Sequence, residues 1–592
     1  MKIKCSSIVL ITTLALLTTL VSAPAPAKAA GTGGPRAPGL KIFFYASTDA
    51  AFGAIVADPP EIDLYGGMLL KPQYDQAITD SDLTLSQFTT TFTITNHAFM
   101  SSDEDWVFAW LGERNPISEV HFRKAMGHLA NRDAWIETIL EGMGKRIDVP
   151  VAAPSVAWMN ESIIGSNYPY PYSHALAKAE LLAGGWEDYN NNGIINYPLD
   201  WPGKAGVIGV RDEPDMDALI YYAYNTPATR YAMALDHATQ IQNIDWGGGV
   251  KKKIPVTLTA QSYDFFDTVV WTDYRYQIAT DGWSVGRYPT YLRSFFGSGY
   301  WWPGEGGVNA YTPGYPELDA ALDNMFFAPD LGTAITNAKL AQSIIMDKYA
   351  LWIPIWSGAG FYAYRNLLGV VSTPNTGPFN YFTEMNAIRS DDATQPIRVG
   401  IVPAPMALNP ITSMWVVDVT VMQEPWDGVI NTNPYDVLID QPNLARDWSV
   451  TTWSGGGVTG TLVKYWLDTR YNWIKPGAGP DAGTIIGPHD TSNQEFVAWY
   501  HFHTPSWVRA SYRDIHHIRV IDNDEIEYYF NKIGVFYGAN FYPWARVFYV
   551  PPGENKGGWK TYPLVQDGDP GTPVGPDGVT GLDPSQKTLI SG

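Results

Sequence analysis

The segment 120–154, VHFRKAMGHLANRDAWIETILEGMGKRIDVPVAAP, constrains the fold most tightly, because its apolar residues recur at helical spacing twice in succession. Ser118 is placed to cap a first helix with Glu119 in its first turn, and Phe122, Ala125, Met126, Leu129 and Ala130 fall on one face. Asn131 is placed to cap a second helix, whose apolar side is Trp135, Ile136, Ile139 and Leu140. Gly142 and Gly144 can take the left-handed turn that closes it. Both apolar faces must be covered, so the pair predicts a helical unit laid on a larger core. By itself it carries no chemistry.

A chain of 592 residues, 45% apolar and 17% charged, can bury a core large enough for two or three lobes. Residues 1–30 read as a signal peptide: Lys2 and Lys4, an apolar run over 8–21, and small residues up to Ala30 at a cleavage site. That run is shorter than the roughly 20 residues that span a bilayer, so export is expected rather than anchoring. Residues 31–39, GTGGPRAPG, form a flexible lead-in. The single cysteine, Cys5, lies inside the signal, so the mature chain is expected to have no thiols. Disulfides, a cysteine nucleophile, an iron–sulfur cluster and a cysteine zinc site are thereby excluded, and the fold must rest on packing. A net charge of −21 argues against a nucleic-acid partner, which would need clustered Lys and Arg. The run Lys251, Lys252, Lys253 reads as an exposed lead-in to a strand.

The wording of the helical pair, from Arg123 through Asn131-Arg132-Asp133 to Gly142, resembles a signature of the family 5 extracellular solute-binding proteins, the peptide- and sugar-capturing receptors of ABC importers. Other segments are similar to the same family. Lys41 to Tyr45, a helix over 49–57 and Glu61-Ile-Asp63-Leu64 resemble its strand, helix and "GEIDi" strand. Residues 173–186 resemble its "AkaLLaeAGw" helix, and Asp281-Gly282-Trp283 with Tyr288-Pro289 its "gW.adYpDP" hinge-and-pocket segment. The stretch 311–325, with Pro316 at a first helical position, and the segments at 352–356 and 362–370 follow in family order.

The chain then continues where such a protein nears its end. Residues 396–410, PIRVGIVPAPMALNP, resemble the family's opening strand, and segments at 424–430, 443–448 and 464–473 resemble the pieces that follow it. Residues 40–392 are therefore expected to be a C-terminal-type part, 396–565 an N-terminal-type part, and 566–592 a flexible or incomplete tail. Two arrangements compete: a circular permutation in which the parts complete one another, and a tandem protein cut short in its second copy. The stop at Gly592 favours the second. The resemblance implies an α/β fold of the type II periplasmic-binding kind, two lobes with a hinge, its segments in rotated or tandem-truncated order.

Candidate sites follow from the residues. Aromatics are abundant, with 23 Trp, 35 Tyr and 23 Phe; most must be core, and the remainder suits a cleft lined by rigid rings. Asp281, Trp283, Tyr288, Trp301 and Trp302 are the pocket candidates from the first part, with Trp415 and Trp426 from the opposite wall; Trp356 reads as core. Where peptide receptors of this family carry an Asp after Tyr-Pro to grip the ligand's amino terminus, this chain has Thr290, and Asp281 is the nearby substitute. Gly282-Trp283-Ser284-Val285-Gly286 spells a nucleophile elbow, but Pro289 interrupts the helix such an elbow requires. Asp188, Asn190 and Asn192 open like a calcium loop, but Leu199 stands where its closing Glu belongs, so a polar turn is expected. His489, His501, His503, His516 and His517 lack ligand spacing and read as surface or turn residues rather than a metal site. No catalytic residue, metal or cofactor is expected. The implied partners are an oligopeptide or oligosaccharide ligand and the permease subunits of an ABC transporter; the rivals are a secreted carbohydrate-active enzyme and a surface protein that never closes on a solute.

Overall fold

The computed structural model describes residues 35–537 apart from 89–91, 103–114, 199–214, 302–307, 374–376, 403–417, 419–420, 422–427, 437–438, 475–483, 504–511 and 513. The signal segment and the tail therefore lie outside the described residues.

The chain opens with β1 (Leu40–Phe44), α1 (Thr48–Val56), β2 (Leu64–Tyr65) and β3 (Thr84–Phe88). Ser47 caps α1 by accepting from the Ala50 amide, and α1 buries Ala51, Phe52 and Ile55. The chain then enters a second sheet through β4 (Thr93–Phe99), α2 (Val120–His128), β5 (Lys145–Arg146), α3 (His174–Ala183) and β6 (Leu219–Tyr224). It continues through α4 (Ala228–Ile241), β7 (Val256–Gln261), β8 (Ile278–Ser284), α5 (Tyr291–Phe296), α6 (Pro316–Phe326), α7 (Leu331–Ser343) and β9 (Trp352–Ser357). Next, β10 (Gly360–Tyr364) and β11 (Ile397–Ile401) rejoin the first sheet. The remainder carries β12 (Asp440–Pro442), the hairpin β13 (Ala445–Gly455) and β14 (Val458–Leu467), α8 (Thr491–His503), β15 (Ile515–Val520) and β16 (Glu525–Phe530).

Among the described residues, three sheets have four or more strands. The first has the order β1-β11-β2-β10-β3, the second β5-β9-β4-β8-β6-β7, and the third, antiparallel, β13-β14-β16-β15. The chain passes between the first two sheets twice, from β3 to β4 and from β9 to β10. At this double crossing Ser357 Oγ donates to the Thr93 carbonyl, and the Gly358 amide donates to Thr93 Oγ1 at 3.0 Å. The architecture is mixed α/β.

Strand β11 sits between β1 and β2, parallel to both: Leu40 to Phe44 pair with Ile397 to Ile401, and Val399 pairs with Leu64. Arg398 clasps the buried Asp63 with two nitrogens, at 2.6 and 3.0 Å. The third sheet packs against the second lobe's helices. Phe536 is buried in the core cluster of that lobe, the Val535 amide donates to the Ala328 carbonyl at 3.0 Å, and Lys532 stands 4.0 Å above the Phe327 ring.

The opening segment folds as a helix followed by a looser turn. Glu119, not Ser118, caps α2, because its longer carboxylate reaches both the His121 amide (3.0 Å) and the Phe122 amide (2.7 Å). Asn131 makes no side-chain cap. Its helix is one α turn, Arg132–Ala134, running into a π turn, Trp135–Ile139, that closes on Glu141 and Gly142 at positive φ. Arg132 draws the chain tight there, donating to the Ile147 and Pro354 carbonyls from a buried position with its guanidinium 3.5 Å from the Tyr168 ring centre. Ser173 caps α3, and Pro316 stands at the start of α6, the first helical position that the sequence gives it.

Candidate functional site

In the second sheet β6, β7 and β8 run parallel. Their C-terminal ends, at Tyr224, Gln261 and Ser284, lie on the side where β4 starts at Thr93, opposite Ser284, just after the crossing from the first sheet. A crevice outside the carboxyl ends of parallel strands is where open α/β sheets bind ligands. The Gly360 turn of the return crossing brings Met68 of the first lobe and Met143 of the second close together, 3.4 and 3.7 Å from where a Cβ at that glycine would stand.

Asp281 does not face this crevice as a free anchor. It is 1% exposed, and its carboxylate accepts from Tyr311 Oη (2.8 Å), Trp283 Nε1 (2.8 Å), the Gly282 amide (2.7 Å) and Asn96 Nδ2 (3.2 Å). Burial raises its pKa while these four donors pull it down, so the net direction is upward. The ring of Trp283, half-buried, packs 4.8 Å from Phe295 and 6.2 Å from Trp271. Tyr288 meets Trp158 edge-on at 5.7 Å and Phe536 at 5.2 Å, and Trp301 lies 5.2 Å from Tyr274. Trp302, Trp415 and Trp426 lie outside the described residues. Trp283, Tyr288 and Trp301 thus all pack, partly buried, against one core cluster, with Asp281 sealed beneath Trp283. Trp356 is half-buried against the neighbouring core.

Sequence reasoning missed Arg230. It stands in the first turn of α4, directly after the C-terminal end of β6, with its guanidinium 5.0 Å from the Tyr224 ring centre. It lies so close over Gly282 that a Cβ there would overlap it. Among the described residues it forms no ion pair and no hydrogen bond, so a half-exposed cation is left at the mouth of the parallel strands. One arginine in an amphipathic helix gives no warning of this. The only sequence hint is the glycine between Asp281 and Trp283, which leaves room for it.

Below Arg230, on the same face of the sheet, lies a sealed polar cluster. Tyr221 Oη contacts His97 Nδ1 at 2.8 Å and His237 Nδ1 at 3.3 Å, and His237 Nε2 donates to the Met126 carbonyl at 2.9 Å. Burial pushes both imidazoles down, His97 well below its usual value and His237 to about 4; Arg230 adds to the effect on His97.

The other motifs resolve into structure. Ser284 is exposed at the end of β8 and no helix begins there. Asp188 is buried, accepts from the Asn192 and Gly193 amides, and pairs with the Lys252 ammonium, which makes the turn self-contained. His489 and His501 are buried, contrary to the expectation of surface or turn positions: His489 Nε2 meets Gln494 at 3.2 Å, and His501 stacks on Tyr512 at 5.1 Å. Their rings fill the core beside α8, where the pattern of alternate positions hid them. His517 stacks on Tyr529 at 4.1 Å. Among the described residues no group of three His, Cys, Asp or Glu side chains could hold a metal ion.

The family model of the bacterial extracellular solute-binding proteins, family 5 Middle, matches residues 58–302, a stretch that contains Arg230, Asp281, Trp283, Tyr288 and Trp301. Over that stretch the chain is similar to family 5. Solved structures similar to this chain include the oligopeptide-binding protein AppA from Bacillus subtilis in complex with a nonapeptide, at 14% identity over 57% of this chain and 58% of that one, TM-score 0.45. A lactococcal OppA complexed with an endogenous peptide in the closed conformation gives 14% identity, 58% of each chain and TM-score 0.44. A dipeptide binding protein from Pseudoalteromonas sp. SM9913 in complex with Met-Leu gives 16% identity, 58% of this chain, 56% of that one and TM-score 0.41. The chain spans less than two thirds of the length of these structures. No curated protein matches it. Among the described residues no helix is long and apolar enough to cross a membrane.

Proposed function

We propose that this chain is an exported solute-binding receptor of an ABC importer, capturing oligopeptides or similar oligomeric nutrients between the first two sheets and delivering them to a membrane permease. The observation that carries this reading is Arg230, a cation without a partner among the described residues, set at the carboxyl ends of parallel strands above Gly282, the residue before the half-buried Trp283. A guanidinium in that position suits a ligand carboxylate, and the aromatic border of Trp283, Tyr288 and Trp301 suits an extended chain. Asp281 supports the site from below by holding Trp283 Nε1, in place of the anchoring role its spacing proposes. Titration calorimetry of the mature chain against peptide pools tests the reading, and a chain that binds no peptide and no oligosaccharide overturns it.

The second reading is an oligosaccharide receptor. Thr290 in place of the Asp and the sequestered Asp281 favour it. For the secreted-enzyme rival, cleavage of soluble glycans by the chain is the deciding measurement. As to chain order, the place of β11 between β1 and β2 and of Phe536 in the second lobe's core supports the permuted arrangement, in which both parts build one molecule.

A further inference from the structure

Among the described residues, Asp281 and Asp440 stand near the aromatic border, and each is neutralised from within the protein. Asp281 spends both oxygens on four donors and is closed off from solvent. Asp440, on β12, reaches the segment after β8 from the other part of the chain, but there it pairs with the Arg287 guanidinium, with both side chains largely buried. Arg287 itself lies 4.7 Å from the ring centre of Tyr288, and its carbonyl accepts from Ser155 Oγ at 2.8 Å, so the pair is fixed on both sides. Asp264, an exposed acid, sits in the helical turn after β7, two strands from β8 in the sheet, and touches neither the Trp283 nor the Tyr288 ring. Against these, Arg230 remains a cation with no counterion among the described residues.

We propose that the site selects a ligand that carries a carboxylate and presents no ammonium group beside Trp283 and Tyr288. Among the described residues beside these rings no free anion would meet a desolvated ammonium, whereas a carboxylate gains the Arg230 guanidinium. This deepens the receptor reading and rests on it. The shared chemistry is an anionic end on an otherwise uncharged oligomer, and two sources supply it: an amino-blocked oligopeptide or an oligosaccharide containing uronic acid.

The test titrates the mature chain by calorimetry with one pool of tri- to pentapeptides in three forms: free, N-acetylated and C-terminally amidated. A uronic-acid oligosaccharide and its neutral counterpart are run beside them. Acetylation is expected to leave affinity unchanged or better, within about threefold, and amidation to weaken it about 30-fold, the worth of one charge-assisted hydrogen bond. Tight binding of the uronate with loss of the neutral sugar supports the same selectivity and assigns the sugar source. Arg230→Gln is expected to erase the acid-to-amide difference with an unchanged melting curve. A tenfold loss on acetylation overturns the selectivity while leaving the receptor reading standing, as does equal binding of acid and amide. Binding of no probe in any form overturns the receptor reading itself, and the selectivity with it.

Discussion

The two faces of β8 at its C-terminal end differ in how their polar groups are satisfied. On one face Asp281 is enclosed by Tyr311, Trp283 and Asn96, whose distances from it all lie between 2.8 and 3.2 Å. On the other, above Gly282, Arg230 makes no polar contact among the described residues. Buried polar networks with every member satisfied hold geometry, and a half-exposed charge left alone at a strand mouth is free to meet something from outside. In the proposed reading the first face is scaffold and the second meets the ligand, whereas a reading from sequence alone gives the binding role to the aspartate.

Substitutions can break this contrast, beginning with the largest effect. Asp281→Ala strands several buried donors at once and is expected to lower stability by about 4 kcal/mol, read by urea denaturation. Retention of wild-type stability would show that the enclosed face is not scaffold. Next comes acid. His97 and His237 are held neutral in the fold, their pKa values depressed by burial, so the unfolded chain takes up protons below about pH 6.5 while the folded chain does not. Stability is therefore full above pH 6.5 and falls as pH drops toward 4, by about 3 kcal/mol for His237 alone. His237→Gln should flatten that part of the pH–stability curve.

Arg230→Gln follows, with stability expected within about 0.5 kcal/mol of wild type and ligand affinity lowered by about 2 kcal/mol. A variant that melts early but binds normally would reverse the assignment of the two faces. Gly282→Ala sharpens the same point, since its methyl displaces only the flexible end of Arg230: affinity should fall with the melting temperature nearly constant. Smallest is Asp440→Asn. It weakens one partly buried ion pair at the seam and is expected to cost about 1 kcal/mol in a denaturant titration.

Local features of the fold were legible in the sequence because their causes are local. Ser173 caps its helix, Pro316 opens another, and the apolar stripe of α2 is buried, each decided within a few residues. The shift of the α2 cap to Glu119 depends on where the chain arrives from Asn115, which spacing does not encode. Of the candidate site, the sequence names Trp283, Tyr288 and Trp301, and the structure leaves all three partly buried against one core cluster. That Asp281 is enclosed was not legible, because its partners Asn96 and Tyr311 lie far away in the chain. Arg230 was invisible for the same reason: its isolation is a property of three dimensions. The His97–Tyr221–His237 cluster likewise joins residues from three elements.

The insertion of β11 between β1 and β2 has a consequence for synthesis. Among the described residues β1 has no sheet neighbour other than β11, and that strand leaves the ribosome more than 350 residues later. Through most of translation the nascent first lobe presents an open edge and an unfilled slot, closed only by a contact of very high sequence separation. A chain ordered in this way exposes the first lobe to chaperones and to mispairing until residue 401, and that lobe matures only after the second lobe's sheet is already made.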